Sequence, residues 1–330
     1  RLPFWKGDAL GRPAELGRAV GGFVREISAL GAEQARARLA ASGLDEWAID
    51  NLLAYLDDQT AAAGALPHDR QLLIERFRDE LGDWRVVVHS PFGAQVHAPW
   101  ALIAAARLRE RYGVDVQAMH ADDGLLFRLP AGDLSEAPFD PHAGRWWTGR
   151  AHGAAGVGAS DLGELVELIF PEPEEVTSLV TAELGGSALF AARFRECAGR
   201  SLLLPRQRPG VRQALWQQRL RSSQLLQIAS AYPEFPIVAE AVRECLHDVY
   251  DVPALIALLG EVRARRIAVR TVETIAPSPF ASSLLFGYVA QFLYENDTPL
   301  AERRAAALSV DPGLLADLLG STEATSLSEL

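Results

Sequence analysis

The 330-residue chain has one lysine, Lys6, and one methionine, Met119, so no initiator opens it. It is therefore expected to be a piece cut from a larger cytoplasmic polypeptide. Its two cysteines, Cys197 and Cys245, are too few for a disulfide framework and lack metal-ligand spacing. A reducing interior is the expected setting, with both thiols packed as small hydrophobes. No apolar run approaches the roughly 18–20 residues a membrane span needs. The N-terminus carries no apolar core of signal-peptide type, so neither a membrane nor export is indicated. The near absence of lysine leaves 31 arginines to carry the positive charge. Arginine at any one position is thus weaker evidence of bidentate recognition than usual.

Several chemistries are also missing. There is no G-x-x-x-x-G-K-[ST] phosphate loop, so the chain alone is not expected to hydrolyse ATP, and no G-x-G-x-x-G follows a strand. The seven histidines form neither H-x-x-x-H nor H-E-x-x-H. His89 and His97 flank "SPFGAQ" and could converge, with polar contacts at a strand end expected over a metal site. His120, Asp122 and Asp123 read as turn chemistry. No G-x-S-x-G elbow is present. Cys197 sits in an apolar helical pattern rather than a basic loop. Carboxylates occur as solvated runs such as "EPEE", although pairing in space is invisible at this level. No catalytic residue and no metal ligand is assigned.

What is present is a foldable chain. Hydrophobic residues make up 49% and charged residues 23%, which excludes a disordered composition. Apolar spacings of three and four in "RPAELGRAVGGFVREISALG" and "DEWAIDNLLAYLDDQTAAAG" predict helices, the second N-capped by Asp45. "DRQLLIERFRDELG" (69–82) reads as a further helix closed by Gly82. "WRVVVHS" (84–90) is a strand, and "HAPWALIAAARLRERYG" a helix with Pro99 in its first turn. "DVQAMHADDGLLFRLP" is a hairpin turning at Asp123-Gly124. The Gly-, Ala- and Pro-rich stretch 131–160 reads as a long surface loop, and "ELVELIF" fits strand or helix equally. Helices are predicted over 174–184, 187–200, 212–231, 236–250, 252–265, 282–296, 299–309 and 311–319, with one strand at 267–274 that could join the earlier sheet. The expected fold class is α+β, predominantly helical with a small antiparallel or mixed sheet. The organisation is a helical segment 1–82, an α+β core 83–130, a variable loop or insertion 131–173, and a helical segment 174–330, together one composite domain.

Charge is strongly segregated. Between Phe190 and Arg221 lie eight arginines and one acid, Glu196, a net +7 in a chain of −11 that leaves −18 elsewhere. Such separation suits one face meeting a polyanion while the rest stays soluble. Arg206 and Arg208 fall in a "PRQRPG" loop, while Arg212, Trp216 and Arg219 recur at spacings of four and three, on one helical face. Aromatics interleaved with cations suit single strands, whose bases stack and whose phosphates pair. In "LPFWKGD", Leu2, Phe4 and Trp5 cannot all face one core, and Trp5 beside Lys6 could form a stacking platform with a phosphate contact. The competing readings are an arginine-rich helix surface paired with local acids, and a Trp5 packed on the first helix.

Five stretches carry a family likeness: "LPFWKGDALGRPAELGRAVGGFVRE", "VVHSPFGAQVHAPWALIAAARLRERYGVDVQAMHADDG", "LVTAELGGSALFAARFRECAGRSLLLPRQRPGVRQALWQQRLRSSQLL", "YPEFPIVAEAVRECLHDVYD" and "PSPFASSLLFGYVAQFLYENDTPLAERRAAALS". They resemble the large helicase-related (Lhr) family, and within it the DEAD/H-associated domain that follows the two motor domains and a winged helix. The resemblance implies a parent superfamily 2 enzyme, an ATP-dependent, 3′-to-5′ single-strand-translocating DNA helicase tied to DNA repair. It implies that ATP and Mg bind in motor domains outside this chain, which itself needs no cofactor. It implies, too, that this domain packs on the motor and lines the path of the tracking strand. Trp5, Lys6, Arg206, Arg208, Arg212, Trp216 and Arg219 are then the candidate contacts to single-stranded DNA, with RNA as an alternative. A scaffold bracing the motor, and an independent enzyme acting on nucleic acid, remain the other readings.

Overall fold

Six consecutive residues, Trp84–His89, are buried from end to end. A strand does this only when both faces of its sheet are covered. This strand, β2, is the centre of a five-stranded sheet ordered β3-β4-β2-β1-β7, with β1 at Gln71–Arg78, β3 at Gln117–Ala121, β4 at Gly124–Leu129 and β7 at Ala268–Glu273. Neighbours are antiparallel except β1 and β7, which are parallel. Two-residue strands β5 (Phe139–Asp140) and β6 (Arg145–Trp146) pair only with each other. The structure, a computed structural model, describes residues 11–130, 139–140, 145–146, 162–185, 187–204, 215–229, 232 and 235–294.

Alternate strand residues feed opposite faces. Leu72, Ile74, Val86, Val88, Leu125 and Phe127 join the main core, which is built with α4 (Ala94–Tyr112), α5 (Leu162–Ile169), α6 (Val176–Leu184), α7 (Ala188–Arg200), α9 (Pro236–Glu244) and α10 (Val252–Arg263). Phe77, Val87, Met119 and Leu126 pack on the other face against α11 (Pro279–Tyr294). Helices α1 (Ala14–Ala29), α2 (Ala32–Ala41) and α3 (Glu46–Ala63) form their own cluster around Leu39, Ile49 and Leu56. Asp45 caps α3 as expected, accepting from Ala48 N at 2.8 Å. Helix α8 spans Leu215–Ala229. The fold is α+β with helix predominating, and no described helix is long and apolar enough to cross a membrane.

Three expectations need correction. Residues 69–82 do not form a helix. Leu72 through Phe77 are buried without a break because β1 is covered on both sides, and "LLIERF" mimics helical spacing only because buried Glu75 and Arg76 interrupt the apolar run. Gly82 does take a left-handed φ of +85°, in the β1–β2 turn rather than at a helix end. Pro99 is not in a first turn, since α4 begins five residues earlier. Proline has no N–H to offer Gln95 O, and that carbonyl instead accepts from Asp251 N at 3.0 Å, where α10 begins. The predicted helix 236–250 stops being α-helical at Glu244 and continues as a π turn over Cys245–Val249. Elsewhere "ELVELIF" resolves as α5, and β7 joins the sheet. The hairpin turns through Asp122 and Asp123, with Gly124 opening β4 where a Cβ would stand 2.2 Å from Val88 O. The helices predicted at 299–309 and 311–319 lie outside the described residues.

Candidate nucleic-acid interface

Helix α7 carries the first arginines of the basic block. Ser187 caps it, accepting from Phe190 N at 3.1 Å. Phe190, Phe194, Cys197 and Ala198 repeat at helical spacing and are buried, which turns the arginines away from the core. Arg193 pairs with Glu196 at 2.8 Å, and Arg200 reaches Glu244 and Cys197 Sγ. Arg195 is half-buried and Arg221 exposed. Burial pushes the Cys197 thiol up, and raises Cys245 to about 11, so both are core thiols rather than nucleophiles.

Helix α7 ends in a defined closing turn. Leu202 N donates to Gly199 O at 3.2 Å and Leu203 N to Ala198 O at 3.0 Å, the paired bonds of a Schellman closure. That closure puts Leu202 at φ +62°, a left-handed conformation glycine takes freely and leucine does not. The chain then passes through 205–214 to α8. Leu202→Gly is expected to stabilise the protein by about 1 kcal/mol, because the side chain is 59% exposed and little packing is lost. Urea unfolding measures this, and a lower midpoint for the variant would contradict it.

Trp216 and Arg219 lie on α8. Arg206, Arg208 and Arg212 in the loop, and Trp5 and Lys6 near the N-terminus, lie outside the described residues. The structure brings together the two helices that flank this stretch in sequence, since α7 and α8 pack against each other.

The chain enters at Arg12 along a second route. Asp122 Oδ1 accepts from Arg12 N at 2.8 Å and from Ala94 N at 2.9 Å, so one carboxylate ties the entering segment to the first turn of α4. Burial would raise the Asp122 carboxyl, but these two backbone donors and the Arg12 charge outweigh it and hold it below the usual range. Arg12 Nη1 also pairs with Asp123 at 2.8 Å. Gly93, at φ +92°, makes the approach possible, since a Cβ there would stand 1.9 Å from Arg12 O. Beside this crossing opens a cleft of about 700 Å³ between α1, α3, α11, the β2–α4 turn and β3. Val24, Leu56, Met119 and Leu284 give it apolar walls; Arg12, His120 and Asp123 lie at its mouth, and His89 and Ser90 at its base.

Beneath the cleft lie two buried polar networks. Glu75 Oε2 meets His89 Nε2 at 2.8 Å and accepts from Ser278 Oγ, while Oε1 accepts from Ser278 N at 2.7 Å and Thr274 Oγ1 at 3.0 Å. Burial raises this carboxyl, yet His89 and the Ser278 donors outweigh burial and leave it below its ordinary value. His97 Nδ1 donates to Ala121 O at 2.7 Å, which leaves Nε2 to accept from Ser90 Oγ at 2.7 Å. Burial drops His97 to about 4. The sequence shows both histidines but not their partners: Glu75 lies in the segment read as a helix, and nothing in the sequence marks Ser90 as the partner of His97. The Ser90–His97 pair has the outline of a nucleophile and base. However, the α4 amides beside it are committed, Ala94 N to Asp122 and His97 N to Gly93 O, leaving no oxyanion donor from them. Both networks therefore fasten the base of the cleft.

Comparison with known proteins follows the same lines. The family model described as DEAD/H associated matches residues 66–281. The chain is 52% identical over 327 residues to a protein of Mycolicibacterium smegmatis described as "Lhr helicase/ probable uracil glycosylase", covering 99% of this chain and 20% of that protein. It is 45% identical to the Escherichia coli "Lhr helicase/uracil glycosylase", covering 98% and 19% respectively. A solved structure of Mycobacterium smegmatis helicase Lhr bound to ssDNA and AMP-PNP superposes with a TM-score of 0.70 at 50% identity, covering 87% of this chain and 33% of that one. The chain spans about a fifth of the length of these relatives. With its matched segment holding the whole five-stranded sheet and most of the helices around it, the chain belongs to the DEAD/H-associated family, in the form carried by Lhr helicases.

Proposed function

We propose that this helicase-associated domain is an accessory DNA-binding domain of an ATP-dependent, 3′-to-5′ single-strand-translocating helicase. It lines part of the path of the tracking strand and leaves ATP and Mg to motor domains outside the chain. The observation that carries the reading is the α7–α8 hairpin: two packed helices, the first closed by a Schellman turn, joined in sequence by the arginine-rich stretch 205–214. The likeness to a helicase that binds ssDNA supports single-stranded DNA as the partner. In this reading Arg206, Arg208, Arg212 and Arg219 neutralise phosphates, while Trp5 and Trp216 stack on bases beside Lys6.

The test is the salt dependence of single-strand binding by the full chain. Replacing Arg206, Arg208 and Arg212 by alanine is expected to flatten the slope of log affinity against log salt by about 0.7 per lost phosphate contact, or about 2 in all. Fluorescence anisotropy across a salt series reads this directly. An unchanged slope would favour the second reading, a brace for the motor. Two observations favour that one: Arg193 and Arg200 are already paired within the domain, and Leu202, Leu203, Leu220, Ile228 and Tyr232 are exposed around the hairpin.

A further inference from the structure

A second group of arginines follows α10 in "RARRIAVR", 263–270. Arg263 is committed, pairing with Glu172 at 3.2 Å and Glu174 at 2.7 Å. Arg265, Arg266 and Arg270 are exposed and form no ion pair with any described residue. The nearby acids are already taken: Glu261 by Arg18 at 3.0 Å, Glu273 by Arg76, and Asp69 by Nε and Nη2 of Arg25 at 2.7 and 3.1 Å. Three cations thus stand without local neutralisation in a chain of net charge −11.

Their setting is a built edge. Arg265 occupies the position after the cap of α10 at φ +57°, where Arg265 N bonds Val262 O at 2.9 Å and Arg266 N bonds Glu261 O at 2.9 Å. Leu202 and Arg265 are the only non-glycine residues with positive φ among the described residues, and both close a helix that leads into an arginine-bearing segment. From there β7 runs as the outermost strand, parallel to β1. Ala268 N and Thr274 N bond inward to Arg70 O and Arg76 O, so the intervening N–H groups of Val269 and Thr271 face outward along the edge. Arg266 lies two residues before β7 and Arg270 is its third residue. Arg70, just before β1, is 68% exposed but lies 3.9 Å from Asp69 and is therefore not counted among the unneutralised cations.

We propose that this α10–β7 edge is a second phosphate-binding surface, in which Arg265, Arg266 and Arg270, with the outward amides of β7, take the phosphodiester backbone of a nucleic acid. It shares with the reading above the class of partner but not the surface. A guanidinium held over a left-handed backbone, where glycine would be relaxed, fits a position whose side chain contacts a ligand. Phosphate is the matching chemistry, because cationic forks and backbone N–H groups both donate to its oxygens.

The experiment compares the full chain with two triple variants, R265G/R266A/R270A and R265K/R266K/R270K. Binding to a labelled single strand and to the duplex of the same sequence is measured between about 50 and 200 mM salt. The neutral variant is expected to lose about two to three units of salt slope on one or both oligonucleotides, and the lysine variant to keep it, because counterion release follows charge. The oligonucleotide affected identifies whether strand or duplex lies on the edge. Since all three positions are exposed and Arg265→Gly relaxes the backbone, the thermal midpoint should not fall. A slope unchanged on both oligonucleotides overturns the inference, even where an acidic polypeptide loses affinity. Testing the Arg206/Arg208/Arg212 variant in parallel separates the failures: a slope lost there and kept here sinks only the edge, and the reverse sinks only the hairpin.

Discussion

Glu75→Ala is expected to destabilise the chain by about 3–5 kcal/mol, because it leaves several buried polar groups without a partner at about 1–3 kcal/mol each. The carboxylate is fully buried and receives His89, Thr274 and two donors of Ser278, so truncation strands four groups at once. Through these contacts one side chain on β1 holds β2 and the start of α11. Glu75→Gln keeps the shape and one acceptor, and should cost less, about 1–3 kcal/mol. Urea unfolding of both variants orders them, and an alanine variant within experimental error of the parent would show the network to be dispensable. Acid should have a related effect. The folded-state values of both Glu75 and His97 lie below their ordinary ones, so each contributes stability that is complete above its unfolded value and is lost as pH falls. His97 acts first, between its ordinary 6.5 and about 4; Glu75 follows below the ordinary carboxylate range.

Trp100→Ala should cost about as much, 3–5 kcal/mol, by leaving a large cavity. Trp100 is fully buried among sheet and helices, donates Nε1–H to Ile169 O at 2.7 Å, and meets the edge of Phe170 with centroids 5.0 Å apart. It is the peg that docks the end of α5 on α4. Trp100→Phe restores most of the volume but not the hydrogen bond, and is expected to cost about 1–2 kcal/mol. Hydrogen exchange adds a local readout, since amides of 162–169 should lose more protection than those of β2. Uniform loss across both would mean that α5 and the sheet unfold as one unit.

The helices legible in the sequence were those with one wet face. Residues 46–63 show their Asp45 cap and their apolar stripe in order, and each appears in the structure. The strand at 84–89 was legible because four β-branched or aromatic residues concentrate in six positions. β1 was not, because covering both faces of a sheet erases the alternation by which strands are recognised. Of the candidate contacts, the sequence showed charge and aromatic spacing but not support. That α7 closes on Leu202 with glycine-type geometry cannot be read from "GRSLLLP", where leucine gives no turn signal. The second basic group was on view as "RARRIAVR", yet in an arginine-rich chain its meaning depends on which acids are already engaged, and only the folded arrangement of Glu172, Glu174, Glu261 and Glu273 supplies that.

The bond from Asp251 N to the Gln95 carbonyl that Pro99 releases has a consequence for divergence. Both partners are main-chain atoms, so ordinary side-chain drift at either position leaves the junction intact; only a proline at 251, or a new donor at 99 closing the helical bond, could unfasten it. Relatives that have lost every side-chain contact across this seam can still share its register, and an inherited imino acid in mid-helix would mark the seam where residue identity no longer does.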